Sequence, residues 1–208
     1  MFRKVRILAG ALAALSTAAA AQAGEYRPSF HPDTLKGPPH GAPDTVMVLG
    51  TPHLSGRPQP FDMGRLTPLL DRLEAWKPTG VATEDLSGLQ CDALRRYPTR
   101  YADTVKTYCP DPTAAGQATG LDVPAANAEA ERLLAAWPAA PSAAQRRRLA
   151  AVFLAAGERG SALVQWLRLP DAERTTGEGL NADLVALLEK LKARRNETQQ
   201  IAAVLAAR

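Results

Sequence analysis

Aromatic side chains are scarce in this chain, at 5% of residues, and it holds only two cysteines and three histidines. Few aromatics disfavour a large aromatic-lined pocket, while abundant alanine favours thin helices packed closely together. A surplus of charge is missing too. The formal +4 includes Arg3, Lys4 and Arg6, and no acid precedes Glu25, so about +1 remains once the first 23 residues are removed. That balance takes away the charge argument for nucleic acid. A membrane-length apolar run is also absent: Ile7 to Ala20 falls short of the roughly 20 residues needed to span a bilayer, and no stop-transfer pattern follows it.

The start of the chain predicts export. Arg3, Lys4 and Arg6 form a positive n-region, the apolar run follows, and Ala21-Gln22-Ala23 presents small residues where a signal peptidase reads. Cleavage before Gly24 would leave a periplasmic or secreted protein with no stable membrane anchor, and no Cys follows the site to take a lipid. Residues 1–23 therefore read as a signal peptide. Residues 24–44 are rich in Pro and Gly and read as an irregular lead-in, in which His31 and His40 are loop residues rather than metal ligands. In an oxidising compartment Cys91 and Cys109 are expected to close a disulfide, with two separate thiols as the alternative.

Residues 45–208 suffice for one domain. Thr45-Val46-Met47-Val48-Leu49-Gly50 is a β-rich apolar run, and Leu66, Leu69, Leu70, Leu73 and Trp76 recur at helical spacing. Gly80 to Glu84 reads as a second short strand. Strand, helix and strand predict a βαβ unit, hence an α/β fold with a small parallel sheet. From Leu89 onward helical periods dominate: Cys91 to Thr107, Ala125 to Trp137, Ser142 to Ala156, Arg159 to Leu167 and Asp183 to Ala207. The run Arg146-Arg147-Arg148 reads as a solvated face. In a parallel sheet His53 and Glu84 would stand at the carboxyl ends of neighbouring strands, where ligands bind. There they could share a proton or a divalent metal.

The phrases Gly50-Thr51-Pro52-His53, Trp76-Lys77-Pro78-Thr79 leading to Glu84, and Arg194-Arg195-Asn196-Glu197 resemble, in that order, motifs of the TraB/Tiki-like superfamily. The superfamily includes erythromycin esterase and a haem-binding lipoprotein branch, and the closest likeness is to an uncharacterised exported bacterial branch. The resemblance implies an exported hydrolase-type domain cleaving an amide or ester of a small molecule or peptide, with a divalent metal as an optional cofactor. His53 and Glu84 would be the catalytic or metal-holding pair. Gly50 would bring the backbone round, and Arg195 and Asn196 would bind substrate. The chain ends at Arg208 without the second Gly-x-x-His strand of that superfamily, which weighs against activity. A shortened or fragmentary chain, an inactive descendant, and self-association to complete the sheet are the competing accounts. The rival reading is a non-catalytic periplasmic binding or accessory protein. A third is a helical interaction module within residues 125–208.

Overall fold

The computed structural model describes residues 45–58 and 60–208. The expected signal peptide, the lead-in and both of its histidines lie outside the described residues. Helix starts follow local capping chemistry. Ser87 and Ser142 each accept the backbone N–H three residues on, and Gln90 and Gln145 accept the serine's own N–H in return. Asp122 and Asn181 cap two more helices by accepting from Ala125 and Leu184. Among the described residues the α-helices are α1 (Thr67–Trp76), α2 (Gly88–Arg95), α3 (Pro98–Tyr108), α4 (Thr113–Thr119), α5 (Val123–Ala135), α6 (Ala143–Ala155), α7 (Arg159–Leu167), α8 (Ala182–Ala193) and α9 (Ala203–Ala207). The π-turn Thr198–Ala202 runs directly into α9.

Leu49–Arg208 forms one unit. At its centre α6 buries Leu149, Ala150, Ala151, Val152, Leu154 and Ala155, covering most of its circumference, as expected of a helix with neighbours on most sides. Helices α4, α5 and α7 pack against it, and α8 packs on α7. Alanines at Ala150, Ala151, Ala155 and Ala162 hold the backbones close, and Trp166 of α7 fills the middle while donating its Nε1–H to Glu189 Oε1 at 2.6 Å. Gly88 shows how tight this becomes: a Cβ there would sit 1.6 Å from the carbonyl oxygen of Ala156, and its N–H donates to Glu158 Oε1 at 2.7 Å. A second cluster joins Leu54, Leu70 and Leu73 to Ile201, so α1 packs on the last helical segment. Cys91 and Cys109 form a disulfide that ties α2 to the end of α3.

The expected parallel sheet is not there. Thr45–Gly50 and Gly80–Glu84 are irregular, and the described residues contain no strand, only an isolated bridge between Gly177 and Leu180. Val46 and Val48 on one side of the run are 81% and 89% exposed and Met47 and Leu49 on the other 46% and 42%, so the first apolar run is covered on neither face. The physical reason is that a strand must pair its N–H and C=O groups with a neighbour, and neither segment has one among the described residues. The expected crossover helix, α1, packs on helix instead. The fold is all-helical among the described residues, and self-association through an incomplete sheet loses its basis, since there is no sheet edge to extend.

Candidate functional site

His53 precedes the 3₁₀ turn Leu54–Gly56 and is 76% exposed. Its acidic neighbour is Glu197, whose Oε1 lies 3.7 Å from His53 Nδ1 and accepts the Leu54 N–H at 2.6 Å. Glu197 sits in the break between α8 and the π-turn. There Asn196 Oδ1 accepts the Thr198 N–H, and Gln200 Nε2 donates to the carbonyls of Lys192 and Arg194. Two polar atoms are left buried without partners in this segment, Arg195 Nη1 and Gln199 Oε1. A π-turn with orphaned polar atoms is the kind of irregularity that often marks functional positions.

The predicted site residues are thus distributed unevenly. The structure brings His53 to the segment that holds Arg195 and Asn196, through Glu197. Glu84 is exposed and makes no hydrogen bond or ion pair among the described residues. Gly50 has no positive φ, and a Cβ there would meet nothing within 4 Å, so glycine is not demanded at that position. No group of three or more metal-ligating side chains occurs among the described residues. His53 and Glu197 offer two donors where a catalytic zinc-type centre uses three protein ligands, so this donor set does not fit the metal the resemblance allows.

A different place is concave. An open cleft of about 660 Å³ lies between the Lys77–Val81 strap and helices α5, α6, α7 and α9. Its main wall is one face of α7, on which Ser161, Val164, Gln165 and Arg168 follow the helical repeat. Phe153, Leu134, Val81 and Leu205 supply apolar surface from four other segments. The strap leaves α1 sharply because Lys77 adopts the left-handed conformation at φ 56° and Pro78 blocks any continuation of the helix.

The cleft's charges are unequal in their neutralisation. Arg208 donates to both Asp71 and Glu74, at 2.8 and 2.9 Å. Arg168 instead donates to the carbonyls of Ala206 and Ala207, at 2.7 and 3.4 Å, which caps α9. Arg146 of α6 reaches the buried Gln165 amide, donating to its Oε1 at 3.1 Å. Among the described residues Lys77, Arg146 and Arg168 have no acidic partner within ion-pair reach. Burial, and after it the charge of Arg168, lowers the pKa of the Arg146 guanidinium. The arginine run is therefore not a uniform solvated face. Arg146 is bonded to Gln165, Arg147 is clasped by Glu173 and Glu178, and Arg148 faces Glu129.

Sequence reasoning missed this cleft. The spacing of positions 161, 164, 165 and 168 on a helix is readable, but nothing in it distinguishes a cleft wall from a core stripe. No family model, curated protein or solved structure matches the chain.

Proposed function

We propose that this chain is an exported, non-catalytic helical protein that holds a small ligand in the cleft walled by α7. The observation that carries the reading is the cleft itself: its volume of about 660 Å³ falls in the range of small-molecule sites, and apolar walls are combined with a few polar groups, Ser161, Gln165 and Arg168. Export is supported by the signal-like first 23 residues and by the Cys91–Cys109 disulfide, a bond that persists in oxidising compartments. None of the described helices is long and apolar enough to cross a membrane.

The hydrolase reading depends on two side chains delivered by parallel strands, and that arrangement has no support once the sheet is gone. The phrases resembling the TraB/Tiki-like superfamily still have one spatial counterpart, the contact of His53 with Glu197. A two-dimensional NMR screen of the exported chain against a small-molecule library tests the binding reading. Saturable shifts confined to Ser161–Arg168 and Lys77–Val81 are expected, and Ser161→Phe, which narrows the cleft along α7, should weaken them. A library with no compound that shifts these signals would refute the reading. Ester or amide cleavage lost on His53→Ala would restore the hydrolase instead.

A further inference from the structure

Resting on that reading of the cleft, we infer that its ligand is a neutral carbonyl compound selected by Gln165: the side-chain Nε2–H groups donate to the carbonyl oxygen, while Phe153, Val164 and Leu205 cover the apolar body. Gln165 lines the cleft and is yet only 6% exposed. Chemistry decides which end of its amide faces the ligand. Arg146 Nη1 donates to Oε1 at 3.1 Å, and a guanidinium has no acceptor to offer, so only the oxygen can stand on that side. Arg146 is not a lining residue, which leaves Nε2 as the polar atom for the cleft. Among the described residues Nε2 makes no hydrogen bond, and it is not sealed in as Arg195 Nη1 and Gln199 Oε1 are. A charged donor on the oxygen also polarises the amide and strengthens its N–H groups as donors.

The same lining disfavours other occupants. A hydrocarbon would cover Nε2 and strand its donors without an acceptor. An ammonium would bring donors to a donor, and the two acids nearest the strap, Asp71 and Glu74, are already engaged by Arg208. A carboxylate could accept from Nε2, but burying it calls for a charge partner. Arg146 lies outside the lining, and Arg168 is exposed and spends Nε and Nη2 on the carbonyls of α9. A neutral carbonyl oxygen needs N–H donors alone, and those Gln165 supplies.

Three probes of nearly one shape test this by two-dimensional NMR titration of the exported chain: acetophenone with a neutral carbonyl, ethylbenzene with a CH2 in its place, and benzoate with a charged carboxylate. Acetophenone is expected to saturate and to bind about fivefold or more tightly than either of the others. It should also move the side-chain amide signal of Gln165, which ethylbenzene leaves in place. Gln165→Glu keeps the shape and the acceptor for Arg146 but has no Nε2, so it should remove that signal and bring acetophenone and ethylbenzene to within about twofold of each other. The comparison of probes on the unaltered chain decides the matter even if that substitution disturbs folding. Ethylbenzene binding as tightly as acetophenone overturns the carbonyl and leaves the cleft reading standing. Benzoate binding more tightly than acetophenone overturns the neutral ligand with the cleft reading likewise intact. So does a library compound without a carbonyl that shifts the cleft signals when none of the three probes does. Silence from every compound overturns both.

Discussion

Val46-Met47-Val48-Leu49 and Leu149-Ala150-Ala151-Val152 are apolar tetrapeptides of similar length, and the molecule treats them in opposite ways. The second is wholly buried in α6, with each residue at 0% exposure, whereas the first is exposed along its whole length. The difference lies in the backbone before it lies in the side chains. A helix satisfies its own N–H and C=O groups, so α6 can be surrounded on any side by α4, α5 and α7 with no constraint beyond packing. An extended segment carries its unpaired donors and acceptors with it and can be buried only where a neighbouring strand, side chains or water answer them. Hydrophobicity thus marks what gains from burial, and the backbone decides what can be buried.

The strongest way to break this comparison is to hollow out the buried side. Trp166 is 0% exposed and fills the space among α6, α7 and α8. Trp166→Ala should lower unfolding free energy by about 3–5 kcal/mol, from lost burial and the cavity left behind. Its Nε1–H partner Glu189 would keep solvent access, so the loss is one of packing rather than of a stranded charge. Urea titration followed by circular dichroism measures it. A loss under about 1 kcal/mol would mean that the helical core is held together elsewhere.

A smaller effect tests what holds the turn at Leu54 against the last helical segment. Glu197 ties Leu54 to the start of the π-turn by one charged hydrogen bond, and Leu54 is buried against the cluster of Leu70, Leu73 and Ile201. Glu197→Ala should cost about 1–2 kcal/mol and speed hydrogen exchange at the Leu54 amide, while amides of α6 stay protected. Exchange at Leu54 unchanged by the substitution would show that apolar packing alone anchors the turn.

What is legible in the sequence follows the same physical division. Helical periodicity locates α1, α5, α6 and α7 within a few residues, and at α5 and α6 an Asp or Ser cap marks the start. The expected single helix from Cys91 to Thr107 is two, since Tyr97 precedes Pro98 and is driven out of helical geometry, at φ −122° and ψ 61°. The expected helix from Asp183 to Ala207 breaks after Ala193 with no Pro or Gly to announce it, and α4 is not among the expected helices. The expected strands fail because a short apolar run has no period of its own and suits a strand or any buried segment equally. At the candidate site His53 is legible from its phrase, but its neighbour Glu197 lies more than a hundred positions away and comes with no spacing signal. The cleft is illegible for a related reason: its lining comes from α5, α6, α7, α9 and the strap after α1, and their convergence exists only in three dimensions.

The smallest expected effect makes the comparison most exacting. Replacing the exposed Val46 and Val48 together by Thr should change stability by no more than about 0.5 kcal/mol, because no buried surface is lost and no hydrogen bond is broken. Thr keeps the β-branched shape, so local backbone preference stays nearly constant and burial is the only property under test. Urea titration of the double variant beside Trp166→Ala sets the two regions on one scale. A loss of about 2 kcal/mol or more would reveal that the run is covered after all, and the contrast between a self-sufficient helix and an unpartnered extended segment would no longer describe this protein.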